Sequence, residues 1–253
     1  MKLHLSDNIF IETSKAIDLS IPVNPKGSIT AWHLQKASYK IVESGDFVGS
    51  VQDGGNVNFR DLYFNPHSHC THTECCGHIT KEVSSINQQK PSFFCKALLI
   101  TIKPRVENNN FGQKDSVIDI SHFNEYKNII DGHEAIIIRT LPNTDEKLNL
   151  DYSGTNPCYL STDIIPLLNK HSIKHLIIDL PSVDKENDNG KLAFHHQFWN
   201  VPQKPIMDRT ITELAYIPND VEDGSYILNL QVSAFENDAS PSRPIIFKIR
   251  RAV

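Results

Sequence analysis

The chain has 253 residues, of which 39% are hydrophobic and 22% charged, and a formal net charge of -5. That is enough chain to bury a sizeable core, and a single α/β domain spanning residues 1–253 is expected. The acidic balance and the lack of a Lys/Arg-rich run argue against a nucleic-acid partner, whose phosphates reward clustered positive charge. The segment Met1 to Asp7 meets a charge too early for a signal peptide. The longest apolar runs, such as Ala97 to Ile100 and Ala135 to Ile138, fall well short of the roughly 18 residues of a membrane span. A cytoplasmic protein with no membrane partner is therefore expected. The five cysteines (70, 75, 76, 95 and 158) lack the even spacing of a disulfide framework, which favours free thiols or metal chemistry.

Strand patterns dominate in chain order. Ala16 to Val23, Ala97 to Ile102, Ala135 to Thr140, Lys174 to Leu180, Thr210 to Ile217, Tyr226 to Ala234 and Pro244 to Arg250 are short, rich in Ile, Val and Leu, and bounded by turn residues. Several are apolar at every position, as strands covered on both faces should be. Two helices are expected. One follows the cap Ser161-Thr162-Asp163, with Pro166 in its first turn. The other covers Ser121 to Ile130 and stops before Gly132. Polar turns are expected at 107–112, 142–147 and 184–190. The last lies between a strand and a histidine pair, where it would be a surface loop or a lid over a site. The fold class is α/β, with a mixed sheet and few covering helices.

The segment from His67 to His78 carries four of the twelve histidines, together with Glu74, Cys70, Cys75 and Cys76. These are donors for Zn, Mn or Fe, and crowding them is costly unless an ion organises them. His72 and Glu74 are two apart, so on a strand they project from one face, and His78 can enter from the turn at Gly77. A solvated loop or a structural zinc site is the plainer reading, but the adjacent Cys75-Cys76 pair suits four-thiolate coordination poorly. Cys70 and Cys76 read as buried fillers. Further on, Leu192 to Trp199 holds His195 and His196 among aromatics, and Glu213 sits in a strand where an inward carboxylate needs a partner.

These residues resemble the cyclase-like family of metal-dependent hydrolases, whose mark is H-x-G-T-H-x-D-x-P-x-H. Thr71-His72, Glu74 and His78 match the T-H, the Asp and the final His. A subgroup pattern, N-P-H-x-x-G-T-H-T-E-C-x-G-H-I, resembles Asn65 to Ile79 more closely still. Asp18-Leu19-Ser20, Asp179 to Asp184, Lys191 to Trp199 and Thr210 to Tyr216 look like further stretches of the family. There are departures. Ser68 stands where the general pattern has its first histidine, which leaves His67 and His69 as candidates. Cys70 replaces a glycine, where unusual backbone angles are to be looked for, and Cys76 replaces a proline.

The resemblance implies a swivelling β/β/α-type domain, usually a homodimer, with one or two divalent ions, Zn or Mn. It implies hydrolysis of a carbon–nitrogen amide bond in a small-molecule substrate. His67, His72 and Glu74 would hold a first ion. His78 and Glu213 would hold a second, or else His78 would act as base while Glu213 steadies the water. His195 would protonate the leaving nitrogen. Trp32, Phe194, Phe198 and Trp199 are available to stack on a substrate ring. The competing readings are a non-catalytic metal-dependent binding or sensing protein of the same fold, and a thiol protein using Cys70, Cys75 or Cys76.

Overall fold

The computed structural model describes all residues except 28, 90–93, 109–113 and 252–253. The turn expected over 107–112 therefore lies largely outside the described residues. The architecture rests on eight strands of one mixed sheet: β1 (Ile17–Asp18), β2 (His72–Glu74), β3 (Phe94–Ile102), β4 (Ala135–Thr140), β5 (His175–Ile178), β6 (Thr210–Glu213), β7 (Gly224–Val232) and β8 (Ala239–Lys248). Three short helices accompany it: α1 (Pro66–His69), α2 (Ile165–Lys170) and α3 (Ala193–Trp199).

The order is β7-β3-β4-β5-β6-β2-β8-β1, and β7 also pairs with β8, so seven strands close into a ring. β3 to β6 run parallel, with Ala135 opposite both Ala97 and His175, and His175 opposite Thr210. The remaining pairs are antiparallel. β8 closes the ring because it is ten residues long. One of its edges pairs with β7, while the other pairs with β2 at Ala239–Pro241 and then with β1 at Ile245 and Ile246.

Alternation along the strands separates two cores. Leu98, Ile100, Ile136, Ile138, Leu176, Ile178 and Ile211 face outward, where Leu167 and Leu168 of α2 and Phe194, Phe198 and Trp199 of α3 cover them. Ala97, Leu99, Ala135, Ile137, Ile177, Leu228 and Ile246 fill the ring. Burial on both faces explains the unbroken apolar runs.

The structure trims several expected elements. The strand expected over 16–23 is only β1, because the Asp18 carboxylate accepts from both the N–H and the Oγ of Ser20 and turns the chain there. The helix expected over 121–130 is a 3-10 turn at Ile120–Phe123, capped by Asp119, and successive turns follow it. Tyr126 and Ile129 bond three residues back rather than four, and Asn124 and Asn128 favour turns over helix. The other helix is present: Ser161 accepts from Asp163 N–H, a 3-10 turn follows, and α2 continues past Pro166.

His175, at the start of β5, is buried, with Nδ1 2.9 Å from Thr210 Oγ1. Burial, reinforced by the charge of Lys174, pushes its pKa down from 6.5 to about 4. A folded-state pKa below the unfolded value means that stability is intact above about 6.5 and is lost as the pH falls through about 4. Thermal melts of the wild type should therefore decline over that window, and His175→Asn should show a shallower acid limb. An identical acid limb in the variant would remove His175 from the explanation.

Candidate metal centre and cavity

The site begins at Asn65, whose side chain accepts from His67 N–H and starts α1, with Pro66 in its first turn. One turn of helix sends residues two apart in nearly opposite directions, so His67 and His69 cannot face the same ion. His67 points towards Glu74, with Nδ1 3.3 Å from Oε2. His69 points away and is bound at both nitrogens, accepting from Asn65 N–H at 2.8 Å and donating to Gln35 O at 2.9 Å. Ser68 is buried and exchanges hydrogen bonds with the backbone of Ala31, away from the centre.

Along β2, His72 and Glu74 share the outer face, while Thr73 turns inward to meet Thr212 Oγ1 at 2.8 Å. His72 Nδ1 donates to Cys70 O at 3.1 Å, which leaves Nε2 unprotonated and aimed at Glu213, 3.5 Å from its Oε2. Glu213 is held at Oε1 by Val183 N–H. Two groups of donors result, each with its atoms within 4.8 Å of one another: His67, Glu74 and His78, and His72, Glu74 and Glu213. Glu74 belongs to both. His78 enters from the 3-10 turn Cys76–His78, where a Cβ on Gly77 would lie 2.0 Å from Ser84 O, so only glycine fits.

Sequence reasoning passed over Asp238. Its Oδ2 lies 2.9 Å from both His67 Nε2 and His78 Nδ1. No local spacing marks it, since Glu236-Asn237-Asp238 reads as an ordinary polar turn. Asp184 appeared only as the end of a family-like stretch. It accepts from His195 Nδ1 at 2.6 Å and from the N–H groups of Phe194 and His195. His195 Nε2 then faces Glu74 Oε1 at 3.0 Å and Glu213 Oε1 at 3.8 Å. α3 reaches this position through Leu192, whose φ of 44° is strained for a leucine and whose N–H donates to Asp188 Oδ2.

The electrostatics ask for positive charge. Among the described residues, no Lys or Arg pairs with Glu74, Glu213 or Asp238; the side chains able to carry positive charge against them are histidines. Burial opposes a charge on His67, but the hydrogen bond with Asp238 and the nearby Glu74 carboxylate outweigh it and raise the pKa to about 10. His195 is likewise raised to about 10 against burial, by Asp184 and Glu74. Burial would raise Glu74, yet the surrounding histidines hold it well below its ordinary value. His72 Nε2 and Glu74 Oε2 are buried with no hydrogen-bond partner, which is costly for polar atoms unless something else meets them. Nitrogen and carboxylate donors with orphaned lone pairs fit a divalent cation.

A cavity of about 450 Å³ opens beside His67, His78, His195 and Glu213. Trp32, Leu34 and Leu192 give it an apolar side, and Trp32 Nε1 donates to His67 O at 3.0 Å. Residues 186–190 form another wall, so the 184–190 segment does border the site. Phe194, Phe198 and Trp199 are fully buried in the outer core and are not available to stack on a substrate. The thiol reading also fails on burial: it pushes Cys70 and Cys75 up to about 12 and raises Cys76. The backbone at Cys70, with φ -164°, is extended and needs no glycine.

A paired carboxylate–histidine centre on the outer face of a closed mixed sheet defines a metal-site enzyme architecture. The Cyclase family model matches residues 17–185, and the chain belongs to the Cyclase family. Kynurenine formamidase of Bacillus cereus is 25% identical over 242 residues, covering 93% of this chain and 99% of that protein. A solved protein described as a potential metal-dependent hydrolase with cyclase activity matches with a TM-score of 0.65 at 12% identity, covering 94% of this chain and 99% of its own. An isatin hydrolase bound to the product analogue thioisatinate matches with a TM-score of 0.63 at 14% identity, over 92% of each chain. At these identities the structural likenesses speak to fold.

Because His67 is raised to about 10, a divalent ion must displace protons from the cluster at neutral pH. Adding Zn or Mn to chelator-treated protein should release protons and raise Tm, with affinity climbing as the pH rises towards about 10. Calorimetry in buffers of different ionisation enthalpy measures the release. Binding without proton release would contradict this electrostatic account.

Proposed function

We propose that the protein is a metal-dependent hydrolase that adds water across the carbon–nitrogen bond of a small N-formyl or cyclic amide. The observation that carries this reading is the pair of orphaned buried atoms, His72 Nε2 and Glu74 Oε2, among histidines and a carboxylate (His67, His78, His195 and Glu213) that line a cavity. Likeness to kynurenine formamidase across 93% of the chain supports the amide as the bond class. His67, Glu74 and His78 would hold one ion, and His72, Glu74 and Glu213 a second. Zn and Mn both suit this imidazole and carboxylate set. Such an ion lowers the pKa of water towards about 7 and polarises a carbonyl.

The chain's own residues supply the rest. Asp184 accepts from Nδ1 and orients the ring, and the Asp184 and Glu74 carboxylates favour the imidazolium of His195, whose Nε2–H can then deliver its proton to the leaving nitrogen. Val183 N–H holds Glu213 in place for its metal-facing role. Trp32, Leu34 and Leu192 exclude water from one side of the cavity and favour a substrate with an apolar or aromatic body. A purely binding protein would gain nothing from the Asp184–His195 pair, which favours the hydrolase over a sensor of the same fold.

The reading also includes a homodimer working in the cytoplasm. Exposed Tyr39 and Leu62, directly opposite each other on one face of the two-stranded sheet of Ser38–Ile41 and Arg60–Tyr63, support the dimer as a surface for a second copy to cover. The free thiols of all five cysteines suit a reducing compartment. Among the described residues, no helix is long and apolar enough to cross a membrane.

Elemental analysis together with turnover of N-formyl and cyclic aryl amides tests the proposal. Glu74→Gln should lose bound metal and activity together. His195→Ala should keep the metal and lower kcat by about 10²–10⁴-fold, the range of a general acid. Full activity in metal-free protein would overturn the scheme, and so would an unimpaired His195→Ala.

A further inference from the structure

Asp238 stands directly before β8. The pairing of Ala239 with Glu74 sets it beside Cys75, whose N–H donates to Asp238 O at 3.1 Å. Its side chain is 16% exposed. Its Oδ2 touches one nitrogen from each of two proposed ligands, His67 Nε2 and His78 Nδ1. His78 Nδ1 is also the atom that faces Glu74 Oε2, at 3.9 Å. The nitrogen that His78 would offer an ion beside Glu74 is therefore already in contact with the Asp238 carboxylate. Donors about 2.1 Å from one ion lie roughly 3 Å from each other, which matches this contact.

We propose that Asp238 is a fourth ligand of the ion held by His67, Glu74 and His78, an inference that rests on the two-ion reading above. Four protein donors make that position a closed, tightly held site, in the manner of structural sites. The His72, Glu74 and Glu213 group has three donors, all buried, of which Glu213 alone lines the cavity. The Asp238 ion would anchor Glu74 and the α1 turn on the side where His67 and His78 line the cavity. The contrasting arrangement is one in which Asp238 only accepts a hydrogen bond from His67 Nε2 and orients the ring, which then ligates through Nδ1.

The two arrangements part at Asp238→Asn, because an amide oxygen still accepts from His67 but ligates a cation poorly. Wild-type protein and the variant are dialysed against Zn or Mn, and the bound metal is counted per chain. Two ions in the wild type and one in the variant, with that ion's affinity unchanged, are expected. Two ions in both would overturn the proposal and leave Asp238 as an orienting group. At most one ion in the wild type would instead overturn the two-ion reading itself. Should the Asn variant unfold or lose both ions, Asp238→His decides: recovery of two ions supports a ligand at position 238, and no recovery overturns it.

Discussion

The Glu74 carboxylate is fully buried, and the site is arranged around it. An unpaired charge so placed costs several kcal/mol, so the surrounding chain must return positive charge to it. It does so from three directions: His67 from α1, His78 from the turn after β2, and His195 from α3. None of these has a lysine's freedom to swing away. Each ring is anchored by a carboxylate beyond it, Asp238 for His67 and His78, and Asp184 for His195. The centre is thus alternating layers of negative and neutral-or-positive groups, a composition that gains from cations and has little reason to exist without them.

The sheet fixes where that carboxylate stands. β2 is only three residues long, yet Glu74 is opposite Ile211 on one side and Ala239 on the other, so it is held by two antiparallel neighbours at once. The two-residue period then divides the strand's labour. His72 and Glu74 face the chemistry, and Thr73 meets Thr212 on the inner face. Thr71, just before β2, donates to Leu214 O and accepts from Ile21 N–H, tying the approach of the strand to the exit of β6. Leu214, with φ 53°, turns the chain sharply directly after Glu213.

Much of this was legible in the sequence because it is local. Continuous apolar runs marked the strands of the ring, and the 72/74 spacing marked a shared strand face with a turn to His78. Other parts depend on register or on tertiary contact. Asp238 becomes a neighbour of His67 only through the pairing of β8 with β2, across more than 160 residues of chain. The orientation of His67 over His69 follows from a helix of one turn, too short to show a period. α3 is delimited by left-handed Leu192, a residue with no such signature, and by Asn200, which does favour that conformation, and its aromatics serve packing because Arg209 and the outer core enclose them.

The departures from the family pattern fall into place on the same grounds. Cys70, in extended backbone, donates its thiol weakly to Pro66 O and meets the donors only through its carbonyl, which accepts from His72 Nδ1. Cys76 sets its sulfur 3.4 Å from Met207 Sδ, within the outer core. Both changes are absorbed as packing. Glu74 is different, because its extra methylene carries the carboxylate beyond an aspartate's reach. With the oxygens extended, Oε1 meets His195 while Oε2 lies between His67 and His78. A carboxylate displaced along that direction needs a donor arrangement adjusted around it. Asp238 stands where that adjustment would be made, on the strand that flanks Glu74, with its oxygen against the same two histidines.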